Sequence, residues 1–225
     1  MGEKTKAIAI DGPSGAGKST LARALAKELG FRYVDTGAIY RTVGCYARRK
    51  GVDPGDAEAV TALLPEIRVE VLYDSEGLQH MVLNGEDVTA EIRLPEISMY
   101  ASRVSAIPAV RDFLMEMQRD LARRHNVIMD GRDIGTVVLP QADIKLFLSA
   151  SPEDRAMRRF LELEQRGTPQ DYGPLLSEIK ERDYNDSHRA AAPLRPAEDA
   201  ILLDTTGNTF DQSFQLLLKT IKENL

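Results

Sequence analysis

The stretch Gly12-Pro13-Ser14-Gly15-Ala16-Gly17-Lys18-Ser19-Thr20 decides the fold of this chain. It matches the pattern G-x-x-x-x-G-K-[ST], in which backbone N–H groups converge on the phosphates of a nucleotide, the lysine adds a cation and the hydroxyl binds Mg²⁺. An apolar run of strand length, residues 7–10, precedes it, and Leu21, Leu25 and Leu29 follow at helical spacing. A glycine-rich turn that binds nothing is the alternative, which the complete motif and both flanks disfavour.

Composition limits the class of protein. The 225 residues are 43% hydrophobic, and no stretch approaches the roughly 18 apolar residues that cross a bilayer. Residues 1–6 lack the hydrophobic region of a signal peptide, so we expect a cytoplasmic protein that binds no membrane. A net charge of −6 disfavours a general nucleic-acid-binding surface but leaves room for a local basic pocket. No interface pattern suggests more than a monomer.

Cysteine and histidine indicate no catalytic or metal site. The single cysteine, Cys45, cannot form an internal disulfide and lies in a helical pattern, where a buried apolar role is favoured over a nucleophilic one. The three histidines, His80, His125 and His188, lack the spacing of zinc ligands.

Alternating strands and helices predict an α/β fold, a doubly wound sheet of five buried parallel strands flanked by helices. The strands are expected at residues 7–10, 31–35, 127–130, 144–148 and 200–204. Helices are expected at residues 36–50, 151–167, 173–189 and 209–223. The gap between the second and third strands is too long for a simple crossover, so it indicates an insertion.

The insertion has the pattern of a small antiparallel sheet. Val69, Val71 and Tyr73 alternate, and Asn84-Gly85 is a strong hairpin signal, so we expect residues 65–90 to stand off the core. A long helix follows, with an expected buried face of Val110, Phe113, Leu114, Met117 and Leu121. The chain of residues 1–225 then divides into a core (1–50, 105–150 and 191–225), an insert (60–100) and a lid region with flanking helices (155–190).

The first three core strands each end in an acid with a glycine close behind: Asp11-Gly12, Asp35-Thr36-Gly37 and Asp130-Gly131. Because the carboxyl ends of parallel strands meet at one edge, these acids are candidates for metal positioning and loop bracing. Asp130 ends an apolar strand, as does the acid that holds Mg²⁺ in this class, with a turn cap as the alternative. We expect Ser19 and Asp130 to bind the metal.

Arginines recur after the phosphate loop (residues 12–20), although the chain is acidic overall. One group shares a helix face beside the break at residues 167–169: Arg155, Arg158 and Arg159. That face suits a lid that closes over transferring phosphate, and it equally suits a solvated helix surface.

A second group of charges lies on later elements. Arg182, Asp186 and Arg189 share a helix face, and the first two could form only a surface salt bridge of little energy, or could hold phosphate and ribose hydroxyls. Arg132-Asp133 follows the end of the third strand and sets a donor beside an acceptor, which suits a base with both acceptor and amino edges.

The absence of an evident catalytic base indicates which kind of molecule accepts the phosphoryl group. An alcohol acceptor usually needs a carboxylate to take its proton, whereas a nucleoside monophosphate is mostly dianionic at neutral pH. A site rich in arginines and without an evident base dyad therefore favours a phosphate acceptor, with catalysis by positioning and charge neutralisation.

The motifs form an ordered set: residues 11–20, 35–41 (DTGAIYR), 130–136 (DGRDIGT) and 181–183 (ERD), with Asp186 and Arg189. This set resembles the bacterial cytidylate kinase family over nearly the whole chain. The resemblance implies a P-loop nucleoside monophosphate kinase that transfers the γ-phosphoryl group of ATP to CMP or dCMP with Mg²⁺. It also implies a core, an inserted monophosphate-binding unit and a short helical lid.

The resemblance further implies roles for individual residues. Three would face the acceptor nucleotide: Thr36, Tyr40 and Arg41, the last on its phosphate. Four would read cytosine and position the acceptor: Ser102, Arg111, Arg132 and Asp133. Three would hold its ribose and phosphates: Arg182, Asp186 and Arg189. The residues expected to act in catalysis are Lys18, Arg41, Arg132, Arg159 and Arg189. Cytosine donates from N4 where uracil accepts, so Ser102 and Asp133 are the expected discriminators.

Readings from other classes stay open. A switch-type NTPase is disfavoured because the guanine-reading pattern Asn-Lys-x-Asp is absent, whereas a nucleotide-sensing module without catalysis is compatible with the sequence. Within the kinases, UMP or a small metabolite is the alternative acceptor.

Overall fold

The computed structural model describes residues 5–225, so residues 1–4, which bear on the expected absence of a signal peptide, lie outside the described range. The elements within it are β1 (Ala7–Asp11), α1 (Lys18–Leu29), β2 (Arg32–Asp35), α2 (Thr36–Arg49), α3 (Ala57–Leu63), β3 (Val69–Tyr73), β4 (Gln79–Leu83), β5 (Glu86–Asp87), α4 (Pro95–Val104), α5 (Pro108–Arg124), β6 (Val127–Gly131), β7 (Ile144–Ser149), α6 (Pro152–Gln165), α7 (Tyr172–His188), β8 (Ile201–Asp204) and α8 (Phe210–Asn224). Short 3-10 turns cover Leu64–Glu66 and Glu91–Arg93, and a π-helical turn covers Ile134–Val138.

Five parallel strands form the main sheet, in the order β2-β6-β1-β7-β8. Successive side chains of a strand point to opposite faces of the sheet and pack in different hydrophobic clusters. Met129 belongs to one cluster, and Ile128 belongs to the other. Helices cover both faces, which confirms the predicted doubly wound α/β fold. The strand order also sets Asp35 opposite Asp130 and Asp11 opposite Gly131, so the three strand-end acids lie side by side.

The last strand differs from the prediction of five buried strands. β8 lies at the edge of the sheet, and Leu203 is the one buried residue in it, while Leu202 is 65% exposed. An apolar run at a sheet edge packs on one face only, so its hydrophobicity overstates its burial.

The insert forms the predicted antiparallel sheet, with three strands in the order β3-β4-β5, but it does not stand off the core. Val69, Met81 and Leu83 are buried in the same hydrophobic cluster as Ile39 and Val43 of α2. So small a sheet needs an apolar surface to pack on, and α2 supplies it.

Helix α4, which the sequence patterns did not predict, crosses α2 at a glycine. A Cβ added to Gly44 would lie 3.0 Å from the backbone nitrogen of Ala101 and equally close to the Tyr100 side chain. The small residue therefore lets the two helices approach closely.

Helix α5 buries most of the predicted face, since Met117 and Leu121 are partly buried and pack against the core. Val110 and Leu114 are buried as expected, but Phe113 is 37% exposed, and the polar residues Arg111 and Gln118 are buried instead. Arg111 is buried because it pairs with a carboxylate in the interior, a partner that a hydrophobic pattern does not reveal.

The later helices begin where the sequence predicts. Ser151 Oγ accepts the N–H of Asp154 at the start of α6, and Thr209 forms a reciprocal capping box with Gln212 at α8. Cys45 is fully buried and its Sγ donates to a glutamate carboxylate, as expected for a packing residue. No helix within residues 5–225 combines the length and the apolar character that a membrane crossing needs.

Candidate active site

The phosphate loop runs from the end of β1 into α1. Gly12 has a φ of 149°, and a Cβ there would lie 2.0 Å from the carbonyl oxygen of Leu148, so the position accepts only glycine. The backbone of Gly17 has a left-handed conformation, with a φ of 84°, and this residue is the N-cap of α1. The N–H groups at the start of that helix have no helical partner and are available to an anion.

Lys18 is buried at this helix start. Its Nζ donates to the carbonyl of Pro13 at 2.7 Å. Burial first, and then the nearby Arg132, lower the pKa of Lys18 to about 7. An anion bound beside Lys18 would favour its charged form, as expected for a phosphate ligand.

The structure brings Ser19 and Asp130 together. The Asp130 carboxylate accepts hydrogen bonds from Ser19 Oγ and from the Tyr33 hydroxyl, both at 2.8 Å. Burial and the nearby Asp35 raise the pKa of Asp130, and a cation at this place would favour its ionised form. A hydroxyl and a carboxylate are the hard oxygen ligands that Mg²⁺ takes, so these residues fit the ion.

The other two strand-end acids brace neighbouring segments. Asp11 accepts the backbone N–H groups of residues 134 and 135 at 2.8 and 2.7 Å, and burial raises its pKa to about 6. Asp35 caps α2 through its side chain and pairs with Arg41 and Arg93, each at 3.0 Å. Burial favours the neutral form of Asp35, but the two arginines outweigh it and lower its pKa.

One cavity of about 640 Å³ opens between the phosphate loop, α2, α4, α5 and the pair α6 and α7. Its loop side is lined by six of the nine motif residues: Ser14, Gly15, Gly17, Lys18, Ser19 and Thr20. Its other walls include all the expected substrate residues: Thr36, Tyr40, Arg41, Ser102, Arg111, Arg132, Asp133, Arg182, Asp186 and Arg189. Asp130 and Arg159 also line it, whereas Gly12, Pro13 and Ala16 do not.

Asp133 is the centre of a buried ion network on the acceptor wall. Arg111 Nη2 donates to one of its carboxylate oxygens, and Arg189 Nη2 lies 3.3 Å from the other. Burial raises the pKa of Asp133, although both arginines oppose the rise. Each carboxylate oxygen has a second lone pair, so Asp133 is a fixed acceptor that can still receive a ligand's N–H.

Tyr40 and Arg111 pack against each other beside Asp133. The Arg111 guanidinium lies 5.7 Å from the Tyr40 ring centroid. The Tyr40 hydroxyl and the Nε of Arg41 are buried without a hydrogen-bond partner among the described residues. By contrast, Thr36 Oγ1 already donates to the Asp130 carbonyl at 2.7 Å. Tyr40 and Arg41 therefore keep hydrogen-bonding capacity that Thr36 has already used.

The charges of α7 pair differently from the prediction. Asp186 pairs with Arg132 Nε at 2.8 Å rather than with Arg182, and it is 6% exposed, so the surface salt bridge considered above is wrong. The Nε of Arg182 is buried and has no partner in the described part of the chain. Burial, and then Arg132, lower the pKa of Arg182 to about 10.

The three arginines of α6 line the cavity but are not equivalent. Arg155 is 2% exposed and donates to the Ser14 carbonyl at 2.9 Å and to the Asp183 carboxylate at 3.0 Å. Arg158 donates to a backbone carbonyl after β8 at 2.6 Å. Arg159, whose side chain is 41% exposed, pairs with an acid of its own helix at 3.1 Å. The expected uniform cationic face is therefore wrong for Arg155, which is a buried brace.

The sequence patterns assigned no role to four residues that brace this site, although one of them stands in the motif at residues 181–183. They are Tyr33, Gln79, Arg93 and Asp183. Tyr33 and Asp183 bind their partners 97 and 28 residues away, and the Gln79 amide bonds both backbone groups of Asp35, at 2.8 and 3.2 Å. No local pattern reveals their partners, because each partner is brought close only by folding.

Comparison with known proteins agrees with this geometry. The cytidylate kinase family model matches residues 8–223. The chain is 52% identical over 213 residues to a cytidylate kinase of Caldicellulosiruptor bescii, covering 94% of this chain and 93% of that one. It is 46% identical over 225 residues to a cytidylate kinase of Vibrio cholerae, covering 100% of both chains.

A solved structure of an uncharacterized protein from Eubacterium ventriosum shares the fold, with a TM-score of 0.54 at 14% identity, covering 98% of this chain and 99% of that one. Because the identity is so low, this match shows a shared fold and nothing more. The family match and the identity to curated relatives bear on descent. From these matches it follows that the chain belongs to the cytidylate kinase family.

Proposed function

We propose that this chain transfers the γ-phosphoryl group of ATP to CMP or dCMP, giving CDP or dCDP in pyrimidine nucleotide metabolism. The observation that carries the proposal is that one cavity joins the phosphate loop to a buried carboxylate held by two arginines. Phosphoryl transfer between two nucleotides needs such a two-sided site, because both phosphates must be held in line.

On the donor side, residues 12–20 hold the phosphates of ATP. Backbone N–H groups at the start of α1 and the Lys18 ammonium bind the phosphate oxygens. Ser19 and Asp130 are the residues that would hold Mg²⁺, which when bound neutralises charge on the transferring phosphate. Support for this comes from their 2.8 Å contact and from the oxygen donors they supply.

Positive charge, rather than a general base, drives the chemistry. The acceptor phosphate is mostly dianionic at neutral pH and attacks without losing a proton. The residues that position the two phosphates and stabilise the developing charge are Lys18, Arg41, Arg132, Arg159 and Arg189. Arg41, Arg132 and Arg189 are supported in this role because each is held by a carboxylate on the cavity wall.

On the acceptor side, Asp133 and Ser102 read the base. Cytosine presents an amino donor at N4, and a carboxylate fixed by Arg111 and Arg189 can accept it, whereas uracil presents a carbonyl that an ionised carboxylate repels. Thr36, Tyr40 and Arg41 face the nucleotide, and Arg182 with Asp186 binds the ribose. Both side chains line the cavity, and the Nε of Arg182 has no hydrogen-bond partner among the described residues, which supports this assignment.

The experiment that tests this function is a panel of nucleoside monophosphates assayed with Mg-ATP for ADP release. We expect CMP and dCMP to give the highest kcat/KM, and chelation of Mg²⁺ to abolish release. A preference for UMP would overturn the base assignment. Nucleotide binding without acceptor-dependent ADP release would indicate a sensor instead.

We further propose a cytoplasmic monomer, with the core, insert and lid bounded as in the sequence analysis. Light scattering of the purified protein at working concentration tests the monomer, and a mass of twice 24.9 kDa would overturn it.

A further inference from the structure

Arg155 connects three segments at the phosphate loop. Its Nε donates to the Ala150 carbonyl at 2.8 Å, and its Nη1 donates to the Ser14 carbonyl at 2.9 Å and to Asp183 Oδ1 at 3.0 Å. Its Nη2 donates to the other oxygen of Asp183. Four of the five guanidinium N–H groups are therefore occupied by the protein, which leaves little capacity to bind a phosphate.

The loop and α6 are also in direct contact at this point. A Cβ added to Gly15 would lie 3.4 Å from the Cβ of Arg155, so the loop backbone rests on the first turn of α6. Arg155 is 2% exposed, and its bidentate partner Asp183 is on α7. The pair therefore fastens α7 to the loop through a half-buried, bidentate contact with fixed geometry.

Helix α7 and its C-cap carry three of the residues expected to bind the acceptor. Arg182 adjoins Asp183, Asp186 lies about one turn further and holds Arg132, and Arg189 ends the helix and reaches Asp133. The position of α7 thus sets three acceptor residues at once. Asp183 itself does not line the cavity, which identifies it as a residue that acts through others.

We propose that Asp183 is a positioning residue: by holding the Arg155 guanidinium on the Ser14 carbonyl, it fixes the acceptor residues of α7 against the phosphate loop. This inference rests on the proposed function, since it concerns the alignment of donor and acceptor. In-line transfer is sensitive to such alignment, and a displacement of about 1 Å can cost about 10²-fold in rate. ATP is held on the loop side of the cavity, so its own binding is affected much less than the rate of transfer.

The test compares kcat and both KM values for wild type, Asp183→Asn, Asp183→Glu and the double variant Arg155→Gln/Asp183→Asn. The acceptor is whichever monophosphate the panel shows to be best. Glu164→Gln is the matched control, because it removes one negative charge from an exposed position of α6. Thermal unfolding of each variant is measured in parallel.

We expect Asp183→Asn to lower kcat about 30- to 100-fold, with the KM for ATP within about threefold of wild type, as for misalignment. Asp183→Glu should recover at least about tenfold of that loss, and Glu164→Gln should match wild type. The double variant removes the unpaired buried charge and should regain stability, yet its kcat should stay as low as that of Asp183→Asn.

A wild-type kcat in Asp183→Asn, or a double variant whose kcat returns together with its stability, overturns the inference and leaves a structural ion pair. If the wild-type protein transfers the phosphoryl group and only these variants depart from the expected kinetics, the proposed function stands. An inactive wild type overturns the function and this inference together.

Discussion

The donor side of the cavity is built from backbone, and the acceptor side is built from charged side chains. The donor side uses nine consecutive residues, 12–20, whose glycines fix the path of the chain. On the acceptor side, Asp133 meets Arg111 from 22 residues away and Arg189 from 56 residues away. A short pattern therefore specifies the first side, whereas the second exists only after α5, β6 and α7 have assembled.

Lys18→Ala should have the largest effect, because Lys18 is the one side-chain cation that the donor motif itself supplies. We expect kcat/KM to fall about 10³-fold, as when a charge-stabilising donor is removed from an active site. Steady-state ADP release measures it, with Lys27→Ala on the exposed side of α1 as the control. Near-normal turnover would remove the loop from catalysis.

Gly12→Ala tests whether the donor side depends on backbone geometry. The new Cβ would meet the Leu148 carbonyl at 2.0 Å in a left-handed conformation, so we expect a loss of about 3 kcal/mol in the free energy of unfolding. Gly30→Ala is the control, because its φ is 69° with nothing within 4 Å, and it should cost about 1 kcal/mol. Equal losses in chemical denaturation would mean that the close approach has no energetic importance.

Asp133→Asn tests the acceptor side of the cavity, which is built from charged side chains. The amide loses the charge and one acceptor oxygen between the two arginines, so the preference for CMP over UMP should fall about 10- to 100-fold, with a smaller change in the KM for ATP. The ratio of kcat/KM values measures this, and Asp112→Asn at an exposed position of α5 is the control. An unchanged ratio would exclude Asp133 from base reading.

The smallest effect is expected where charges are exposed, in the insert. Hydrogen bonds from His80 to Asp87 first and then to Asp74 raise the pKa of His80. The pairs therefore stabilise the fold fully below a pH of about 6.5, and this contribution is lost as the pH rises through the raised pKa. We expect the Tm of wild type to exceed that of His80→Gln by about 2 °C at pH 6, with the difference vanishing in alkaline buffer.

His125 provides the opposite control for that pH dependence. Burial, and then Arg32, lower the pKa of His125, so its charged form is disfavoured in the fold. Relative to His125→Gln, wild type should lose stability as the pH falls below the ordinary histidine pKa of about 6.5. If both variants show the same trend with pH, neither histidine accounts for it.

Most of the fold was predictable because its strands are continuous apolar runs and its helices begin at strong caps such as Ser151 and Thr209. The errors share a physical cause. The hydrophobic pattern took Phe113 as buried and missed Arg111, because a buried ion pair has no apolar periodicity. It also separated the insert from α2, since the sequence does not reveal which surface a small sheet will cover.

The sequence predicted more of the donor side of the candidate site than of the acceptor side. The motif alone predicted the donor loop, whereas Asp130, which contacts Ser19, was predicted from its place at the end of an apolar strand. The acceptor roles came from resemblance to a family, and spacing left two alternatives for Arg182 and Asp186 without revealing that Asp186 binds Arg132. Helical spacing offers neighbours on one helix, whereas buried charges choose partners across the fold.

The Gln79 amide has a consequence for solubility. β2 is an edge strand of the main sheet, and an edge strand presents backbone groups to which another chain can add. At Asp35, the side chain of Gln79 accepts the N–H and donates to the carbonyl, as a neighbouring strand would. The insert thereby closes this end of β2 against strand addition, and the unit that borders the acceptor site also protects the sheet from edge-to-edge aggregation.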